Sequence, residues 1–552
     1  MSNKAAAAAE HFLKNETQFH LGFLPTEQSH PLTKGLDKAF ERSTADGLRL
    51  LQKADREVLD MAKRVLKSDV FAKMVEAGRR TISKKGRMVF SGCGATGRLS
   101  ILLESMWREC FKDENADRTA SIMTGGDFAL IKAVESFEDY QVFGRKQVAE
   151  LEMGENDMLI AITEGGETSS VIGTVKEAAD RGCAVFLLFN NPAELLREKL
   201  VRCREVIDDP RVTVLDLCCG PMGIAGSTRM QATSSEQLIA GAFLEILAAD
   251  ILGTTVPDFA DGFEKVLDHL ESDEMVGMIA EMLDFEVATY KKGAKVTYFA
   301  GDYLLDIFTD TTERTPTFML PPFKNSDDKV SPPSWAFVKD PRFSTRDTWA
   351  NMLNRPLRCL NWKREDYISM DAEEKIVNNP PKIAAEELYR MEVGFEPAPE
   401  RYASADDAAI CVKVAGAEHN GELDKAFTEI AAPFAVKREF VITSNAPDTP
   451  LHLLNHMAIK LVLNNFSSGT MVCMGRISGN WMSWVSISNK KLVDRAIRLI
   501  SELGELDYPA ACLALFESVE ELDQIDWTGK EKPSVVQYTL KRLSAVRLSG
   551  KK

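Results

Sequence analysis

Between residues 44 and 80 the apolar positions recur three and four apart: Leu50, Leu51, Val58, Leu59, Met61, Ala62, Val65 and Leu66 fall on one stripe. That period predicts helix. Residues 1–80 are therefore expected to be a helical segment, with a short extended piece at Leu24-Pro25-Thr26-Glu27-Gln28 ahead of the stripe. From Arg87 the pattern changes. Short apolar runs at 88–91, 158–162, 184–189 and 212–217 read as buried strands, separated by helical stretches at 99–110, from the loop at 163–170 through Arg181, and at 234–252. Strands alternating with helices at this spacing predict a parallel sheet covered on both faces.

The pattern then repeats. Lys84-Lys85-Gly86 precedes the first strand, and Lys291-Lys292-Gly293 precedes a second opening strand at 296–299. Further runs follow at 409–414 and 440–443, and a long apolar helix at 451–474 closes this unit as 234–252 closes the first. The expected organisation is a helical segment at 1–80, α/β units at 81–285 and 286–485, and a helical segment at 486–552. In the last of these, Leu492, Ala496, Ile497 and Ile500 share one face. Residues 322–400, rich in proline, charge and tryptophan, read as a long excursion between strands.

Composition narrows the partners. With 552 residues and 45% apolar content the chain can bury more than one core. A formal charge of −16 leaves no basic face to neutralise phosphates, so no nucleic-acid or anionic-membrane partner is expected. The basic tail (Lys541, Arg542, Arg547, Lys551, Lys552) reads as solvated. The start MSNKAAAAAEHFLKNE lacks the apolar core and cleavage site of a secretory signal, and no run approaches the roughly 20 apolar residues that span a bilayer. Ten scattered cysteines without zinc spacing fit a reducing cytoplasm. Neither a metal site nor a cofactor is expected.

Two loops carry candidate chemistry. Ser91-Gly92-Cys93-Gly94-Ala95-Thr96-Gly97-Arg98 joins a strand to a helix, where glycines allow close backbone approach and the helix start presents free N–H groups to an anion. By itself this stretch fits a structural turn as well as a phosphate cradle. Thr163-Glu164-Gly165-Gly166-Glu167-Thr168-Ser169-Ser170 repeats the arrangement at a second strand end, where open α/β sheets bind ligands. No Walker-type lysine follows either loop, so one monophosphate held by helix starts and hydroxyl groups fits better than a nucleoside triphosphate. A third piece, Gly226-Ser227-Thr228-Arg229-Met230, precedes the long helix and reads as a Ser/Thr-capped start that could also touch ligand.

The second loop resembles the S-x-S-G-E-T phosphate loop of sugar-isomerase (SIS) domains. The wider set resembles the N-acetylmuramic acid 6-phosphate etherases and their relative, the glucokinase regulatory protein: LPTEQSHP (24–31), GCGATGRL, AVESFED (133–139), GSTRM, KLVLN (460–464), GRISGNWM (475–482) and SNKKLVDRA (488–496). The resemblance implies two SIS-type, doubly wound parallel-sheet domains that pack as an intrachain pseudo-dimer and bind a hexose phosphate. Phosphate-loop contacts would come from Gly92, Gly94, Ala95, Thr96, Gly97, Thr163, Gly165, Gly166, Thr168 and Ser169, with Ser227, Thr228 and Arg229 beside them. It makes Glu138 the base at C2 of the sugar, Glu313 the acid, and Glu135 a partner of a sugar hydroxyl on the same helix face. Lys460 is a further ligand contact.

Departures divide between the halves. The etherase D-A-S-E-C-P-P-T glutamate falls on Met106 in the first unit, whereas the second keeps it in Asp310-Thr311-Thr312-Glu313-Arg314-Thr315-Pro316-Thr317. The second unit has Ala300-Gly301-Asp302-Tyr303-Leu304-Leu305 in place of a phosphate loop, and Gln237 stands in the first where Lys460 stands in the second. One complete pocket and one dead mirror pocket follow. Glu167, where the etherases carry arginine, adds negative charge beside the phosphate. The resemblance allows an etherase-like lyase on an amino-sugar 6-phosphate, a sensor of fructose phosphates that controls a sugar kinase, or a phosphosugar isomerase.

Overall fold

The structure, a computed structural model, describes residues 3–134, 136–527 and 531–549. Five strands form the first sheet: β1 (Met88–Gly92), β2 (Thr119–Met123), β3 (Met158–Ile162), β4 (Ala184–Phe189) and β5 (Val212–Asp216). Their order is β2-β1-β3-β4-β5, parallel throughout. β1 to β4 are buried on both faces, which is why they read as unbroken apolar runs rather than alternating ones. The second sheet has β6 (Val296–Phe299), β7 (Ala336–Lys339), β8 (Ala408–Val414) and β9 (Val436–Ile442), ordered β7-β6-β8-β9 and again parallel. Both are doubly wound α/β sheets, and each switches strand direction of travel beside its opening strand, β1 or β6. A short hairpin, β10 (Ile477–Ser478) with β11 (Trp481–Met482), lies apart from both.

The helices used below are α1 (Thr44–Val65), α2 (Ala95–Cys110), α3 (Ser169–Asp180), α4 (Gln231–Leu252), α5 (Asp273–Lys291), α6 (Leu304–Phe318), α7 (Asn420–Ile430), α8 (Leu453–Cys473) and α9 (Lys490–Gly504). α1 carries the predicted stripe inward and is capped by Ser43, whose hydroxyl accepts from Asp46 N. α4 and α8 are buried almost all round, as helices apolar on every side must be. They pack so tightly that a Cβ on Gly241 would stand 2.2 Å from the Leu453 side chain. The joint is also polar: Glu245 of α4 accepts from Thr449 Oγ1 and from the backbone N–H groups of Leu451 and Leu453, capping the start of α8 from the other half of the chain. Among the described residues no helix is long and apolar enough to cross a membrane.

Five sequence expectations need correction. β2 was not anticipated, because Thr119-Ala-Ser-Ile-Met is half polar although fully buried. β7 lies inside the 322–400 excursion, which is therefore an edge strand with its connections. β9 begins at Val436, not 440; as a sheet edge it exposes Lys437, Arg438 and Glu439, which hide the strand pattern. α2 begins at Ala95 rather than Leu99, because its first turn is part of the glycine loop itself. In the basic tail, Arg542 pairs with Glu517 and Glu521 instead of facing solvent freely, and Lys551 and Lys552 lie outside the described residues.

Replacing Glu245 by Ala strips three buried donors of their acceptor at the joint of the two halves. At about 1–3 kcal/mol for each group left unsatisfied, the loss is a large share of a typical folding free energy. Glu245→Ala is expected to lower the first thermal transition by several degrees in differential scanning calorimetry, whereas a change at the exposed Glu281 should leave it in place.

Candidate functional site

The loops after β1 and β3 open side by side at the switch point of the first sheet. Gly94 ends the first loop with φ +58° and ψ −123°, a region closed to side chains, and caps α2 without any side-chain hydrogen bond. The first N–H groups of α2 are thus left for a ligand. Gly92 is needed for another reason: a Cβ there would meet the Thr96 carbonyl at 2.4 Å. Thr96 itself does not face the opening. Its hydroxyl donates to Cys93 O and accepts from Cys93 N, which fixes the turn. In the second loop Thr168 lies at the N-cap of α3 and faces the opening, while Thr163 is buried beneath and donates to the Thr168 hydroxyl at 3.1 Å.

These loops border a cleft of about 280 Å³. Of the expected contacts, Gly94, Ala95, Gly165, Thr168, Ser227, Thr228, Arg229, Glu138 and Glu313 line it. Gly92, Thr96, Gly97, Thr163, Gly166, Ser169 and Lys460 do not; they stand behind the surface or beside it. Glu135 lies outside the described residues. The expectation that Ser227 or Thr228 caps the long helix is not met: α4 starts one residue after Met230, which has no side-chain cap. The Ser227 hydroxyl is instead buried without a partner, and Thr228 donates to Glu164 at 3.3 Å.

Glu313 reaches the cleft from α6 of the second half and meets Arg98 of α2 at 2.5 Å. Arg229 pairs with Asp310 at 2.9 Å and donates to Ser467 and Ser468, so a second bond crosses between the halves. Lys460 lines a smaller cavity next to the cleft, bounded also by Arg98, Arg229 and Glu313. There it donates to the Arg229 and Met230 carbonyls and to Ser234. Burial lowers its pKa to about 7 despite Asp55 and Asp310 nearby.

Glu138 lies on a single 3₁₀ turn, Phe137–Asp139, and not on the helix expected there. The 322–400 excursion braces this turn. Phe137 stacks on Trp362 at 5.8 Å and meets Tyr367 edge-on, Arg355 pairs with Asp127 and Glu104, and Tyr140 accepts from Glu373 N.

Sequence reading missed the closing side. Lys491 of α9 pairs with Glu138 at 2.9 Å and Glu167 at 3.4 Å; burial opposes its charge, but those carboxylates raise its pKa. Arg495 joins Glu27 of the N-terminal segment, whose carboxyl burial would push up but Arg495 and Arg498 hold at about 2. The signal existed: LPTEQSHP and SNKKLVDRA lie outside both α/β units, and their charged residues have no reason to be fixed unless the termini fold over the site. Glu167 is taken up by Arg202 at 2.5 Å and by Lys491, which neutralises the charge expected to disturb a phosphate. Glu164 has no cation on its carboxylate among the described residues. It is exposed only to the confined cleft, and burial, with Glu313 and Glu138 nearby, raises its pKa to about 7.

The corresponding place in the second half is filled by protein. Asp302 accepts from the backbone N–H and the ring of His419, and His456 pairs with Asp306 at 2.9 Å. His452 and His456 stand four apart, a spacing that the expectation of no metal site passes over. His452 turns to Asp448, and among the described residues no three His, Cys, Asp or Glu side chains are placed to hold a metal ion.

Residues 70–179 match the family model of the glucokinase regulatory protein N-terminal SIS domain. N-acetylmuramic acid 6-phosphate etherase 1 of Bacillus licheniformis is 30% identical over 220 residues, 40% of this chain and 67% of that protein. The etherase of Yersinia pestis is 30% identical over 40% of this chain and 68% of its own length. Among solved structures, the C-terminal domain of glucosamine-fructose-6-phosphate aminotransferase from Francisella tularensis aligns with 79% of the chain at 10% identity, with a TM-score of 0.45. Fold and sequence together define an SIS-type phosphosugar-binding protein. The chain belongs to the family of the N-acetylmuramic acid 6-phosphate etherases and the glucokinase regulatory protein.

The placement of the two threonines separates their roles. Thr168→Val should weaken binding of hexose 6-phosphates by about 10- to 100-fold in calorimetry, the loss of one hydrogen bond to a charged oxygen, and lower the melting temperature only by what the buried Thr163 hydroxyl loses with its acceptor. Thr96→Val should lower the melting temperature as well, because it frees the loop turn.

Proposed function

We propose that the chain is an etherase-like lyase acting on N-acetylmuramic acid 6-phosphate or a related amino-sugar 6-phosphate. The observation that carries this reading is the meeting of Glu138 from the first half and Glu313 from the second across one cleft floored by two helix starts. Units 81–285 and 286–485 would act as a fused pseudo-dimer with one working site per chain. The phosphate would lie on the N–H groups of α2 and α3, with Thr168 and Ser227 donating. Elimination then needs a base to take the C2 proton and an acid to protonate the oxygen leaving C3.

Glu138, oriented by Lys491 at 2.9 Å, is the carboxylate assigned to accept the C2 proton. Glu313 is held in contact with Arg98, an arrangement that suits accepting from a sugar hydroxyl. Burial raises Glu164 to about 7, so a substantial fraction carries a proton at neutral pH, and we assign it the acid role.

A sensor of fructose phosphates that controls a sugar kinase is a second reading. The two ion pairs favour it, because paired carboxylates serve well as hydrogen-bond acceptors and need transfer no proton.

Incubation with N-acetylmuramic acid 6-phosphate should release lactate, and in deuterium oxide the C2 position of N-acetylglucosamine 6-phosphate should exchange. Glu138→Gln should stop both. Glu164→Gln should remove the alkaline limb of the rate profile, the limb on which the wild-type acid loses its proton near pH 7. Ligand saturation without lactate release or exchange over many hours would leave the sensor reading, which a kinase pull-down then tests.

A further inference from the structure

The second sheet has a cavity on the face opposite the one where Tyr298 meets Arg314 of α6. Its volume is about 370 Å³, within the range of small-molecule pockets, and it shares no lining residue with the sugar-phosphate cleft. Two cations form its inner end. Lys339, the last residue of β7, and Arg401 are each only 2% exposed, and both lie over the ring of Phe337, at 5.8 and 5.6 Å. Arg401 is used structurally: it donates to Thr297 Oγ1 and to the carbonyls of Val296, Ser334 and Trp335. Lys339 donates to one carbonyl, that of Glu392.

Among the described residues no carboxylate comes within 4.0 Å of either cation. Of the two glutamates on the lining, Glu396 spends both oxygens on Thr345 N and Oγ1, and Glu429 of α7 is exposed at the rim. A buried ammonium without a carboxylate in direct contact is costly, and burial lowers the Lys339 pKa to about 8 although the charges of Glu396 and Glu392 oppose the shift. The rest of the wall is flat and apolar: Phe299, Tyr402, Phe434 and the prolines 341, 397 and 433. The hydroxyl groups on the lining are those of Thr297, which accepts from Arg401, and Tyr402.

We propose that this cavity is a second ligand site for a small aromatic carboxylate, its carboxylate on Lys339 and its ring against the edge-to-face cluster of Phe299, Tyr402 and Phe434. The site is independent of the lyase reading, since it lies in the half of the chain whose own phosphate loop is filled by protein.

The test is calorimetry on the full chain with phenylacetate, with 2-phenylethanol as the uncharged control. Phenylacetate should bind saturably at one site per chain, and the alcohol about tenfold more weakly or worse. Lys339→Met, which keeps the length and removes the charge, should lose phenylacetate and keep its affinity for N-acetylglucosamine 6-phosphate. Should that variant not fold, Phe434→Trp, which fills the apolar end, gives the same discrimination. The proposal is overturned by the absence of saturable phenylacetate binding in the wild type, by equal binding of the alcohol, or by unchanged phenylacetate affinity in the folded variant.

Discussion

Two buried ion pairs, Arg98 with Glu313 and Arg229 with Asp310, hold the halves of this chain in one register. All four side chains are less than a tenth exposed. Pairs of this kind recover little net stability, because desolvation offsets most of the attraction. Their effect is positional. A slip of α6 against the loops of the first sheet would leave Arg98, Glu313 and Arg229 without their ion-pair partners, Asp310 keeping only Arg314 of its own helix, so the chain is confined to the arrangement that brings Glu313 to the glycine loops. The Glu245 cap on α8 and the Gly241–Leu453 contact act in the same direction with uncharged and singly charged groups.

The same constraint bears on how an acidic protein would present the proposed phosphate site. The cations on the cleft wall are already committed: Arg98 to Glu313, Arg229 to Asp310, Lys491 to Glu138, Arg495 to Glu27. An anion is therefore left to backbone N–H groups at helix starts and to hydroxyl groups, which carry no counter-ion of their own. The termini are part of this wall. α9 and the segment around Glu27 close over the loops, so the helical ends of the chain are elements of the site and not appendages.

Much of the fold was legible because parallel, doubly buried strands leave continuous apolar runs, and because the Lys-Lys-Gly repeat marks both opening strands. β2, β7 and the start of β9 were hidden where small, charged or edge residues break that signal. The loops could be found from their glycines and hydroxyl groups, but their division of labour could not. Thr96 and Thr168 look alike in sequence, yet one closes a turn and the other faces the cleft. Lys460 was placed with the ligand by resemblance, whereas packing turns it to the Arg229 and Met230 carbonyls. Lys491 and Glu164 escaped notice because a charge acquires meaning only from what the fold sets beside it. Trp362 and Tyr367 lie in the excursion least explained by sequence, and they brace the turn that carries Glu138 across more than two hundred residues of chain.

One titration tests the shared pocket most directly. Calorimetry with N-acetylglucosamine 6-phosphate should find one site per chain, and Glu313→Gln, distant in sequence from every phosphate loop, should weaken binding by about tenfold or more while the stoichiometry stays at one. Two sites per chain, or an affinity untouched by Glu313→Gln, would contradict a cleft built from both halves.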